Sequence, residues 1–187
     1  MNGRSAVLLL GILLVLAAAP ATADPFADPF AGLELVGAGE VRYMGVIRVY
    51  RAELLAPAAA RTEDILAATS SFCLRLHYRV ALAADDFIKA ADTILARQHT
   101  QQTLARVAPL ITRLHQSYRD VKKGDHYGLC YHAATRSTAL ILNDEVLVTI
   151  DSAEFARIYS GIWLGEQQPL STELRRQLLD NTPKQGD

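Results

Sequence analysis

The sequence predicts an α+β fold in which helices pack on one face of a large antiparallel sheet. Three observations carry that prediction. Phe72 to Ala81 alternates apolar and polar residues with a period of two. Two helical patterns follow it, and after Gly124-Asp125 the chain returns to strand-like segments before closing with two capped helices. Strands in two groups around a helical pair suit a sheet that carries its helices on one side.

Taken in order, the chain opens with a leader. Arg4 is a short basic start, Val7 to Ala19 is an apolar run, and Ala21-Thr22-Ala23 has the small-x-small form that signal peptidase reads. Residues 1–23 are therefore expected to be a signal peptide cleaved before Asp24. A bilayer span needs ~20 apolar residues; this run is shorter, and Pro20 follows it at once. No cysteine stands behind it to accept a lipid. The mature protein is expected to be exported to the periplasm, with no stable membrane insertion. Residues 24–32 repeat Asp-Pro-Phe, and prolines at such spacing favour extended backbone. They read as an extended tether into a domain spanning 33–180, with a polar tail at 181–187.

From Leu33 the pattern is strand-like. Gly37-Ala38-Gly39 interrupts it, but no third glycine opens a helix there, so the glycines read as a turn or bulge between strands rather than a nucleotide loop. Val41, Tyr43, Val46 and Val49 lie in an extended hairpin that Pro57 ends. In the next strand Phe72, Leu74, Leu76, Tyr78 and Val80 point one way and Cys73, Arg75, His77 and Arg79 the other. Asp85 or Asp86 is placed to cap a helix whose stripe is Phe87, Ala91, Ile94 and Leu95. A second helix starts near Thr100 with Leu104, Val107, Ile111, Leu114 and Tyr118 inward, and Pro109 removes one of its backbone bonds. Strands are expected at His126 to His132, Ser137 to Asn143 and Glu145 to Ile150, with Asn143-Asp144 as a two-residue turn because both tolerate positive φ. Ser152 opens a helix through Phe155, Ile158 and Tyr159. Gly161 and Gly165 flank Ile162-Trp163-Leu164, which is expected to leave that helix and plug the core. Ser171 caps the last helix, whose Leu174, Leu178 and Leu179 face inward.

Composition narrows function by exclusion. The 187 residues carry 19 basic and 20 acidic side chains, a net charge of −1, so no bulk field draws the protein to nucleic acid or anionic lipid. There is no Gly-x-Ser-x-Gly elbow, phosphate loop or His-Glu-x-x-His helix. Asp85-Asp86 read as cap residues, and His99 and His115 as solvated or capping side chains. Cys73 and His77 share one strand face, and His126, Cys130 and His132 share another. If the two strands are neighbours, Cys73, His77, Cys130 and His132 collect soft ligands, but no signature loop accompanies them. A disulfide is the commoner fate of two cysteines in an exported domain and needs Cα atoms within ~7 Å. Free buried thiols are the third option.

Several short motifs occur in a fixed order: Gly37-Ala38-Gly39-Glu40-Val41-Arg42-Tyr43, Val49-Tyr50, Val121-Lys122-Lys123-Gly124-Asp125, Leu142-Asn143-Asp144, Phe155, Gly161-Ile162-Trp163-Leu164-Gly165 and Leu174-Arg175. In these the chain resembles the bacterial chalcone isomerase-like family from about Leu33 to about Leu179. The resemblance implies an open-faced β-sandwich with helices covering one side of a large antiparallel sheet; no cofactor is expected. In plant enzymes of this fold an arginine after a glycine-rich strand start holds a phenolate or enolate oxygen, and Arg42 matches it by position. The partnering threonine has no match in Met44-Gly45-Val46-Ile47-Arg48-Val49-Tyr50, so chalcone cyclisation is not expected. Non-catalytic relatives bind fatty acids through an arginine and a tyrosine that correspond here to Arg42 and Tyr50. A guanidinium fork and a phenol suit a carboxylate. The sequence thus points to a binding protein for a small hydrophobic anion such as a fatty acid. The alternatives are an isomerase or lyase on an enolisable or enone substrate, with Arg42 on the oxyanion and Tyr50 as proton donor, and a protein-interaction scaffold.

Overall fold

The computed structural model describes residues 25–180. The expected signal peptide and polar tail lie outside the described residues. Six strands form one antiparallel sheet whose spatial order follows the sequence: β1 (Glu34–Tyr43), β2 (Ile47–Ala56), β3 (Phe72–Tyr78), β4 (His126–His132), β5 (Ser137–Leu142) and β6 (Glu145–Asp151). Five helices accompany them: α1 (Thr62–Leu66), α2 (Ala84–Gln98), α3 (Gln101–His115), α4 (Ala153–Leu164) and α5 (Thr172–Leu179). The α+β prediction is met, and the three C-terminal strands fall within a residue of their expected bounds. Asn143 and Asp144 take φ of 47° and 70°, the left-handed pair a tight hairpin requires. The short α1 has too few residues to show a helical period in sequence.

The period of two divides the sheet into a helix-facing and an outer face. Leu74, Leu76 and Tyr78 of β3 join Tyr127, Leu129 and Leu140 in the main core beneath α2 to α5. Cys73 and Cys130, directly opposed in the β3–β4 register, point outward and join Leu55, Ala139 and Ile141 in a second, smaller cluster. That cluster is covered by the segment read as a tether. Residues 25–32 are a series of turns rather than an extended lead, with Phe26 buried against the outer cluster, Phe30 packed beside it and the Arg75 guanidinium 5.1 Å above the Phe30 ring. The proline spacing kept these residues out of helix, but each Asp-Pro-Phe also delivers an aromatic that a bare sheet face can bury.

Three further readings are corrected by local geometry. The Gly37-Ala38-Gly39 run does not separate two strands; it lies inside β1, with a register shift between Leu35 and Gly37. A Cβ on Gly37 would collide with the carbonyls of Gln177 and Leu178, and one on Gly39 with the Gln177 side chain, so the glycines let α5 lie close on β1. Neither Asp85 nor Asp86 is the N-cap of α2, which is Ala83; Asp86 Oδ2 instead accepts the Ala83 N–H from inside the first turn, at 3.1 Å. Trp163 is buried as expected, but α4 runs unbroken to Leu164 and the indole projects from it. Ser171 caps α5 as read, and Thr100 and Ser152, where the other two helices were expected to start, likewise each accept a first-turn N–H.

Candidate functional site

Between the helix-facing side of the sheet and α2 and α4 lies a cavity of about 540 Å³, within the range of small-molecule sites. Its walls are apolar: Val41, Val49, Leu76, Leu129 and Leu140 from the strands, and Phe87, Ile94 and Ile162 from the helices. Tyr43 and Ile47, at the base of the β1–β2 turn, line it while remaining exposed, so its mouth opens beside that hairpin tip.

Polarity inside the cavity comes from phenols. Tyr50, Tyr78, Tyr118, Tyr127 and Tyr159 all line it. The Tyr127 hydroxyl is spoken for, accepting the Arg119 N–H at 2.8 Å and donating to the Arg119 carbonyl at 3.0 Å. Tyr50 accepts the Trp163 indole N–H at 3.0 Å, which leaves its own O–H to donate. Tyr78 packs edge-on against both Tyr50 and Tyr127. Tyr118 and Tyr159 place their hydroxyls 3.0 Å apart, and His115 Nε2 lies 3.2 Å from the Tyr159 hydroxyl. Burial pushes the pKa of Tyr50, Tyr78, Tyr118 and Tyr159 upward, so all four stay neutral phenols. Burial also lowers the His115 pKa, against the opposing pull of Asp92. The arrangement offers neutral O–H donors grouped in an apolar chamber, which suits an amphiphile with one oxygen-bearing head.

Of the residues read from sequence, Tyr50 is in the cavity wall. Arg42 lies just outside it, in an adjoining groove between β1 and α5; Val41 and Leu170 line both spaces. Its side chain is 45% exposed and 3.1 Å from Glu40 Oε2. On the outer face, β3 and β4 are indeed neighbours, but Cys73 and Cys130 are joined in a disulfide with Cα atoms 4.0 Å apart. Both thiolates are thereby lost to any metal. The His77 ring lies tilted beside that of His126, 5.6 Å between centroids, and reaches Glu53, and His132 meets Thr135 at 3.0 Å. Among the described residues no group of three His, Cys, Asp or Glu is placed to hold a metal ion.

The sequence reading missed His115, Tyr118, Tyr159 and the indole partner of Tyr50. His115 was read as a solvated or capping residue; its side chain is only 10% exposed. Tyr118 was read as the last residue of the α3 stripe, but α3 ends at His115 and Tyr118 follows in the turn after it, its ring centroid 6.0 Å from that of His115.

Sheet, helical layer and phenol-lined chamber together define an α+β open-sheet protein with an internal apolar site. The family model described as chalcone isomerase-like matches residues 26–180, and the chain belongs to that family. Among solved structures it is similar to a fatty-acid binding protein of Arabidopsis thaliana, with a TM-score of 0.62 at 15% identity, covering 81% of this chain and 88% of that one. No curated protein matches the sequence.

Proposed function

We propose that this protein is a non-catalytic carrier or reservoir that binds a small hydrophobic acid, of the fatty-acid class, in the cavity between sheet and helices. The observation that carries the reading is the 540 Å³ apolar chamber with neutral phenol donors grouped on one part of its wall. The named binding of the Arabidopsis relative supports the ligand class. Tyr50 meets the head group from inside. Arg42 acts at the rim, where it exchanges Glu40 for the ligand carboxylate, one half-exposed partner for another. Such exchanges contribute little, roughly 0–1 kcal/mol. The leader at 1–23 supports export, with the protein working in the periplasm and without nucleic acid, cofactor or stable membrane anchor. No helix among the described residues is long and apolar enough to cross a membrane.

Trp163 is the sole tryptophan and lines the cavity, so its emission reports occupancy. Purified protein, gently extracted, is expected to release a co-purifying acid in mass spectrometry. After delipidation, titration with cis-parinaric acid should quench Trp163 with saturable, one-to-one stoichiometry. An empty protein that also fails to bind this probe would sink the reading, and turnover of an enone by the same preparation would replace it with the isomerase.

A further inference from the structure

We infer that His115, Tyr159 and Tyr118 form a hydrogen-bond relay, with the Asp92 carboxylate as the charged group beside His115, that presents an O–H donor to an anionic head group in the cavity and couples its binding to protonation of His115. This rests on the cavity being an amphiphile site. The chain crosses the helical layer: Asp92 on α2 is 63% exposed, His115 ends α3, Tyr159 projects from α4, and Tyr118 stands in the cavity wall. Asp92 Oδ1 lies 3.8 Å from His115 Nδ1, and Nε2, the Tyr159 hydroxyl and the Tyr118 hydroxyl follow at 3.2 and 3.0 Å.

Counting protons fixes what the chain can do. Each phenol carries one proton, so Tyr159 cannot donate to Nε2 and to Tyr118 at once. When Nε2 is bare, Tyr159 donates to it, Tyr118 donates to Tyr159, and Tyr118 shows the cavity a lone pair. When Nε2 carries a proton, Tyr159 is free to donate to Tyr118 and the Tyr118 O–H is free to turn to the cavity, the arrangement that an anionic, acceptor-only head group selects. The carboxylate of Asp92 facing Nδ1 favours a proton there, because a bare Nδ1 would set lone pair against anion. With Nδ1 protonated, Nε2–H exists only in the imidazolium. Among the described residues Asp92 from α2 is the charged group facing His115; α4 contributes only the Tyr159 phenol, and the turn after α3 only Tyr118. An anion in the cavity therefore draws a proton onto His115, and reciprocally a protonated His115 favours the anion.

The probes are decane-1-sulfonate, anionic throughout pH 5 to 8, and decan-1-ol, measured by calorimetry on delipidated protein. The parent is expected to bind the sulfonate about tenfold more tightly at pH 5 than at pH 8, the scale of one charge-assisted hydrogen bond, and decanol equally at both. His115→Gln should flatten the sulfonate profile, Tyr159→Phe should flatten it and weaken binding, and Asp92→Asn, at the surface, should shrink the slope by admitting the neutral Nε2–H tautomer. His115 and Asp92 do not line the cavity, so those two variants should leave decanol binding unchanged. A parent that binds both probes without pH dependence, or variants that keep the parent's slope, would overturn the relay while the cavity site stands. A parent that binds neither probe would overturn both.

Discussion

At the scale of single residues, the cavity's chemistry turns on Tyr50 and its partner. Trp163→Phe keeps most of the ring but removes the N–H that the Tyr50 hydroxyl accepts at 3.0 Å. Leaving a buried oxygen short of a donor costs ~1–3 kcal/mol. Trp163→Ala adds a void and should cost about 3–5 kcal/mol, lowering the melting temperature by roughly 10 °C; an unchanged thermal melt would contradict the core role. For affinity the order is expected to be reversed from what motif matching suggests. Tyr50→Phe should weaken fatty-acid binding by about tenfold, the worth of a hydrogen bond to a charged group, whereas Arg42→Ala and Arg42→Lys should each change it by less. A Tyr50→Phe protein with parental affinity, beside an Arg42→Ala protein that has lost binding, would move the anchor to the rim. Here the sequence was half legible. Tyr50 sits opposite Val41 in the β1–β2 register, and both line the cavity. Arg42 comes one residue later, beyond a register shift at Val41/Arg42 that no local pattern announces.

Elements were more legible than residues wherever a local rule decides. Serines and threonines before apolar stripes are caps because their oxygens accept first-turn N–H groups, and Thr100, Ser152 and Ser171 do so. Close approach between elements distant in sequence is not local, so the reason for Gly37 and Gly39 emerged only with α5 in place. The two kinds of determinant are expected to differ in size. Ser171→Ala should cost ~1 kcal/mol. Gly37→Ala forces α5 away from β1 and should cost at least the ~1–3 kcal/mol of an overpacked core. Chemical denaturation of both variants checks this, and a Gly37→Ala protein as stable as the parent would show that α5 docks less tightly than the geometry has it. The Leu174-Arg175 motif has a similar cross-element basis: Arg175 Nε donates to the Leu164 carbonyl at 2.9 Å and closes the end of α4.

For the molecule as a whole, acid should loosen the fold. Burial alone would raise the Glu53 pKa, but hydrogen bonds from Arg75 and Arg51 outweigh it and hold the carboxyl below its ordinary 4.5. Its contribution is present above that value and lost as pH falls through the lowered one. Burial depresses His77 and His115 below the ordinary 6.5, so protonating them below that pH also favours the unfolded chain. Melting temperature should fall steadily from pH 7 to pH 4, and a rise over that interval would contradict both assignments. The disulfide acts on the same scale. It closes a loop with a sequence separation of 57, for which chain entropy gives about 4 kcal/mol; reduction should lower the melting temperature by roughly 10 °C. The same bond bears on the order in which the chain assembles. Each strand pairs with its successor in sequence, and the longest connection between paired strands is the one from β3 to β4, which carries both α2 and α3. Cys73 and Cys130 close that connection at opposed positions in the ladder. An oxidised chain therefore starts its search with the costliest encounter already made and only hairpins and short crossovers left to find. Stopped-flow refolding of oxidised protein should be faster than that of reduced protein, with the unfolding rate changed less.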